Sequence, residues 1–429
     1  KVYREKKKGM YDMSKKEYTL QGIYEDMVST QKADILRSKT DDVKVYYKTK
    51  LTPIIDYALA YQYHSYDDDF NPIDEITVMG IREGSQTLIY GKESSSKSTM
   101  AMQIAGNIAR SFPLSQVYIF DTERSWSLQR AMELGRFDIR DIDNHKLVIE
   151  DTKTTLEDFQ DLMSTIYDYK RKHRDIFTYT SEIKDFKGNY IQTLQPTIVL
   201  LDSIASLTER VNYDTKAGEK AMTEIESQPD KTRFAGKITT VWKKILPWQE
   251  ETNIILISIN QDKTKIGMDG PMFQGAEIMG MKQNSTTPGG RMPRFLANIQ
   301  IETSASGKFK EEEDGFNGFG VKVNVVKNRN NLGAGKVIPL INDPKGGGIS
   351  YVRSSLAFCK ENGLLIGNKN KMRFVNDPEK NYFSMMNAPT DFRLNRNLYT
   401  IMHTEMKPLL ETMFLKKDET FAVEEEGEY

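Results

Sequence analysis

The chain has 429 residues, 38% of them hydrophobic, with a formal net charge of −1 and a single cysteine, Cys359. The length leads us to expect two or three domains, and a lone cysteine excludes a disulfide framework and suits a reducing cytosol. No apolar run approaches the roughly 18 residues of a membrane span, so a soluble protein without membrane contact is expected, and near-neutral charge means that any nucleic-acid partner must bind at a local patch.

In chain order, residues 1 to about 76 are polar, basic at Lys6, Lys7, Lys8, Lys15 and Lys16, with helical patterning around Thr19 to Ser38 and Thr52 to His64. No secretory signal is visible, and the start at Lys1 rather than methionine leads us to expect preceding residues. Asp67 to Pro72 reads as a linker or turn. An α/β core is expected over 77–353, with a mostly parallel sheet. Its buried strands are Thr87 to Tyr90, Val117 to Asp121, Leu147 to Ile149, Thr197 to Asp202 and Asn253 to Ile259, all short continuous apolar runs. Helical spacing follows Thr99 and fills Thr155 to His173, and Thr178 to Gln195 reads as an inserted polar hairpin with no assigned chemistry. From Ser354 a small lobe is expected: a helix around Leu356 to Cys359, a hairpin of Leu364 to Ile366 with Met372 to Phe374, a helix from Leu398 to Phe414, and an acidic tail to 429. A tail of that kind is ordinarily a solvated end.

The chemistry concentrates in Gly91-Lys92-Glu93-Ser94-Ser95-Ser96-Lys97-Ser98, a G-x-x-x-x-G-K-[ST] phosphate loop with serine in place of the second glycine, followed by Thr99. Backbone N–H groups in such a strand-loop-helix turn, with the positive helix end, cradle phosphates. Lys97 would reach the β- and γ-phosphates and the Ser98 hydroxyl would coordinate Mg²⁺. A glycine at position 96 would adopt positive φ freely; serine accepts it less readily. Asp202 ends an apolar strand as a Walker B acid does, holding Mg²⁺ through water. Open α/β sheets place ligands at the C-terminal ends of their strands, where Asp121, Glu123, Asp202, Asn260 and Gln261 all fall.

The ordered segments Ile89 to Thr99, Tyr118 to Glu123, Leu201 to Leu207, Ile259 to Gly267 and Val323 to Arg329 resemble the RecA family of DNA strand-exchange recombinases. The resemblance covers about Thr77 to Gly363. The missing second glycine and the long N-terminal extension look more like the UvsX-type phage branch. It implies a RecA-like P-loop ATPase core using ATP and Mg²⁺, and an N-terminal extension able to pack on a neighbouring protomer. Glu123 matches the general base, the alternative being a salt bridge to Arg124 or Arg130. Gln261 matches the γ-phosphate sensor that opens a DNA-binding loop, and an amide suits it because it both donates and accepts. Lys327 and Arg329 match a basic pair that enters the adjacent protomer's ATP site. Arg130 stands where the family has an aromatic near the adenine, with Trp126 as competitor for that role.

Two loops, around Val211 to Arg233 and Asp262 to Arg294, match the DNA-binding loops; the second carries Lys263, Lys265, Lys282, Gly289, Gly290, Arg291 and Arg294. Their charge excess is small, so DNA binding rests on the resemblance rather than on electrostatics. The expected protein is a cytosolic recombinase, in the bacterial host's cytoplasm if phage-encoded. It would form helical homo-oligomeric filaments on single-stranded DNA, pair it with homologous duplex DNA, and work with single-strand-binding and mediator proteins. The alternatives are a replicative helicase of the DnaB type and a non-hydrolysing ATP-binding scaffold.

Overall fold

A computed structural model describes residues 43–67, 69, 71–210, 228–261, 263–264, 285–286, 288–329 and 335–415, with backbone alone for 228–232, 263–264 and 285–286. The expected helix of 19–38, the basic N-terminal run, most of both candidate DNA loops (Lys265 and Lys282 included) and the acidic tail lie outside these residues.

The long apolar runs form one nine-stranded sheet. Strands β1 (Gln86–Gly91), β2 (Val117–Asp121), β3 (Leu147–Glu150), β4 (Thr197–Asp202), β5 (Ile254–Gln261) and β6 (Ile299–Phe309) are parallel. Three antiparallel strands, β7 (Gly318–Asn328), β8 (Val337–Asp343) and β9 (Gly348–Ile349), extend the β6 edge. The spatial order is β9-β8-β7-β6-β1-β5-β4-β2-β3. The central strands are apolar on both faces because both are covered, as parallel sheets require. Alternate residues feed two layers. Ile89, Ile119, Leu200 and Ile257 join one cluster with Met100 and Ile104 of α1 (Lys97–Ala109). Leu88, Phe120, Val199 and Leu256 join another with Phe159 of α3 (Leu156–Lys172) and Trp242 of α4 (Gln228–Thr252); a short α2 (Leu128–Gly135) packs beside α1. The α3 start is fixed by a capping box in which the Thr155 side chain accepts from Asp158 N and the Asp158 carboxylate from Thr155 N.

The N-terminal boundary differs from the expectation at residue 76. From Lys44 onward the chain is one compact unit. Val45, Tyr47, Leu51, Ile54, Ile55 and Leu59 are buried in the same cluster as Ile89 and Ile119. The helical reading of Thr52 to His64 holds only for Pro53–Ala58, capped by the Thr52 side chain; Tyr61–Tyr66 is a strand, antiparallel to Pro72–Val78. Tyr63 and Ser65 are buried while His64 and Tyr66 are exposed, the period-2 pattern of aromatic-rich strand sequence. The inserted segment is the expected hairpin, Thr178–Lys184 with Tyr190–Leu194. It contacts the N-terminal hairpin, where Tyr63 OH donates to Lys184 O at 2.6 Å, and the strand before it, where the Tyr47 and Tyr179 hydroxyls are 3.2 Å apart.

The C-terminal elements include the expected α5 (Tyr351–Glu361), the hairpin of Leu365–Asn368 with Lys371–Phe374, and α7 (Asn397–Phe414), with a further short helix, α6 (Ala388–Leu394), between the hairpin and α7. Leu356, Phe374, Phe392 and Met402 continue the cluster that holds Ile338 and Leu340 of β8, so the lobe is joined to the sheet edge by a shared apolar core. Among the described residues no helix is long and apolar enough to cross a membrane.

Candidate nucleotide site

Residues 92–96 join β1 to α1 at the centre of the sheet, where strand order reverses and β5 and β6 leave on either side. Gly91 is required there, since a Cβ would lie 2.1 Å from Thr303 O on β6. Ser95 Oγ donates to Lys92 O at 2.7 Å and lies 2.8 Å from Thr303 Oγ1. Ser96 takes the left-handed conformation expected of the missing glycine, φ 66 and ψ 21. Its hydroxyl accepts from Asn342 Nδ2 at 2.7 Å. The first turn of α1 has no acidic residue, leaving the positive helix end free for an anion. Lys92, Glu93 and Ser94 are exposed on the loop, and Thr99 is buried inside α1. Lys97 Nζ rests on Lys92 O at 2.7 Å. Burial pulls the Lys97 pKa down, against the opposing pull of Asp202, Glu123 and Glu93.

Asp202 ends β4 in register with Asp121 at the end of β2. Its Oδ2 accepts from Ser98 Oγ at 2.8 Å and from Trp126 Nε1 at 3.0 Å. Burial raises the Asp202 pKa; the bonds from Ser98 and Trp126 oppose this, while Glu123 and Asp121 add to it. A hydroxyl and a buried carboxylate side by side are oxygen donors of the kind a hard divalent cation takes. Mg²⁺ held there would complete its shell with phosphate oxygens and water. Trp126 is thus a brace for Asp202 rather than an open base platform, its ring 8% exposed and the Arg130 guanidinium 5.1 Å above it. A buried indole N–H seeks an acceptor, but the burial that creates this demand is not visible in the sequence.

Glu123 is held by neutral groups. Its Oε1 accepts from Ser203 Oγ at 2.5 Å, Ser206 Oγ at 3.3 Å and Gln261 Nε2 at 3.3 Å. Among the described residues there is no ion pair from Glu123 to Arg124 or Arg130. Gln261 is the last residue of β5, in register with Gly91. Asn260, just before it, donates through Nδ2 to Pro288 O at 2.9 Å, tying the two ends of the second candidate loop together.

The other expected residues do not converge on this chain's phosphate loop. Lys327 registers with Gln300, which registers with Leu88, three residues and about 10 Å before Gly91. Lys327 Nζ donates to Phe295 O at 2.8 Å, and Arg329 Nη2 donates to the same oxygen at 2.7 Å. Burial, then the neighbouring Arg329 charge, pulls Lys327 down to about 8. Arg294 is buried, with its guanidinium 4.2 Å from the Tyr90 ring centroid, the placement of a core cation rather than of a surface one. Arg291 is exposed. Lys263 pairs through its backbone with Thr286. Gly289 and Gly290, with φ 82 and 79, pack so closely that added Cβ atoms would meet Ile204 Cγ2 at 2.5 Å and Ala235 Cβ at 3.2 Å.

Residues 70–226 match the KaiC ATPase family and residues 184–336 the RecA N-terminal domain. Protein RecA of Ureaplasma parvum serovar 3 is 26% identical over 294 residues, covering 68% of this chain and 71% of that protein. Protein RecA of Aquifex pyrophilus is 27% identical over 253 residues, 59% of this chain and 57% of its own length. Protein RecA of Acinetobacter baumannii is 25% identical over 250 residues, 58% and 56% of the two chains.

Proposed function

We propose that this RecA-like ATPase, distantly related to the RecA recombinases, forms helical filaments on single-stranded DNA and pairs that strand with homologous duplex DNA. The observation that carries the reading is the contact between Glu123 and Gln261. It links the carboxylate best placed to orient an attacking water to the residue at the root of the 262–294 segment, so that occupancy of one is felt by the other. A serine at position 96 supports placing the chain in the UvsX-type phage branch.

In this mechanism Lys97 takes the β- and γ-phosphates as a point charge, while the end of α1 supplies backbone donors. Mg²⁺ between Ser98 and Asp202 would offset phosphate charge. Glu123, fixed by Ser203 and Ser206, holds the water as general base. Gln261 senses the γ-phosphate. Lys327 and Arg329 act on the next protomer's nucleotide, which accounts for their distance from their own loop; a cation delivered in this way raises hydrolysis by about 10³ to 10⁵ in other NTPases. Arg291, Lys263, Lys265 and Lys282 track DNA phosphates, and Gly289 and Gly290 anchor their loop.

Electron microscopy with single-stranded DNA and a nonhydrolysable ATP analogue tests the proposal. Helical filaments are expected; closed rings would favour a helicase of the DnaB type, and dispersed protomers an ATP-binding scaffold.

A further inference from the structure

A side chain resists the left-handed backbone that Ser96 adopts, and a phosphate loop loses its cradle if that residue relaxes. The partner of Ser96 comes from a distant part of the chain. Asn342, 5% exposed, donates its amide to the Ser96 hydroxyl at 2.7 Å. Its Oδ1 has no hydrogen-bond partner among the described residues, so Ser96 is what holds the amide in place.

The hairpin that delivers Asn342 is itself fixed to α1. Gln103 Nε2 donates to Gly347 O at 3.1 Å and to Ile349 O at 3.2 Å, and Gln103 Oε1 accepts from Ile349 N at 2.8 Å. Gly348 lies against the helix so closely that a Cβ would stand 2.7 Å from Thr99 Cγ2. The end of β8 and all of β9 are therefore registered on the first two turns of α1, and Asn342 reaches Ser96 from a rigid base.

We infer that Asn342 is a positioning residue for nucleotide binding: its hydrogen bond holds residue 96 in the left-handed bend that glycine would adopt unaided. The inference rests on reading residues 91–98 as a nucleotide site and is independent of recombination. Removing the amide leaves a strained serine with an unpaired buried hydroxyl, and the loop relaxes out of its binding shape. With glycine at position 96 there is neither strain to resist nor hydroxyl to satisfy, and the amide becomes dispensable.

The test compares the full chain with Asn342→Ala, Ser96→Gly and the double variant, by titration of a fluorescent ATP analogue with Mg²⁺, by KM and kcat for ATP, and by melting without nucleotide. Asn342→Ala is expected to weaken the analogue and raise KM about tenfold, the loss of one well-buried hydrogen bond, with kcat changed less than about twofold. Ser96→Gly sets the reference for the double variant, which should stay within about threefold of it. Asn342→Ser, too short to reach Ser96, replaces the alanine variant if that one does not fold. Parental binding by Asn342→Ala overturns the inference. So does an equal loss in both backgrounds, which would place Asn342 on the nucleotide or in the general fold. If Lys97→Ala abolishes analogue binding and Asn342→Ala does not, the site reading stands and this inference alone fails; if the parent does not bind the analogue, both fail.

Discussion

At the scale of single residues, the site depends on few groups, and each makes a distinct prediction. Lys97→Ala removes the charge proposed to meet the phosphates; hydrolysis should fall by at least about 10²-fold with the circular dichroism spectrum unchanged, and near-parental turnover would eliminate the assignment. Trp126→Phe keeps an aromatic ring but deletes the N–H that donates to Asp202. A single hydrogen bond to a charged group, about 1.5–3 kcal/mol, predicts a drop in turnover of about ten- to a hundredfold, together with a raised Mg²⁺ requirement, read from a magnesium titration. The loop was legible in the sequence because phosphate binding demands particular residues in succession, and the serine at position 96 already implied backbone strain. What braces it was not. Asn342 carries no local sign of its role, and Trp126, read only as a competitor to Arg130 beside the base, gave no sign of bracing Asp202 because sequence does not show which side of a ring is covered.

Among secondary-structure elements, the buried strands were readable because a parallel sheet covered on both faces leaves continuous apolar runs with acids at their ends. The segment Tyr61–Tyr66 was not. A short stretch of spaced aromatics fits a helix and a strand equally, and pairing with Pro72–Val78 decides between them. The proposed DNA-facing half of the site was faint for another reason: its loops carry little excess charge, and one of their cations, Arg294, is taken up by Tyr90. Lys170, near the C-terminal end of α3, offers an element-level test. It is buried without a carboxylate partner among the described residues, donating to Gln195 O at 2.7 Å and Asn253 O at 3.3 Å, the residues that lead into β4 and β5. Burial pulls it down to about 7, against about 10.4 in an unfolded chain. Between those values the unfolded chain binds a proton that the folded one has released, so this lysine makes stability rise with pH, by at most about 1.4 kcal/mol per unit; below pH 7 its full cost is present. Denaturant unfolding at pH 7, 8 and 9 should show the parent gaining on Lys170→Met at each step. A constant difference between the two would mean that Lys170 titrates normally.

For the whole molecule, the distance of Lys327 and Arg329 from their own phosphate loop predicts a site completed between protomers. Protein carrying Lys327→Ala and Arg329→Ala, mixed with Glu123→Gln protein, should recover DNA-stimulated hydrolysis, since each contributes the half that the other lacks. Activity no greater than the sum of the separate variants, in filaments shown to be mixed, would count against a shared site. The Ser96–Asn342 bond spans 246 positions, and that span bears on how freely this ATPase can be cut or recombined in evolution and in the laboratory. A fragment ending before Val337 would keep every residue of the phosphate-loop signature and lose the support that gives it shape. The loop is not a portable cassette: grafted into another scaffold it would need glycine restored at position 96, whereas the chain that keeps its serine must also keep its far edge.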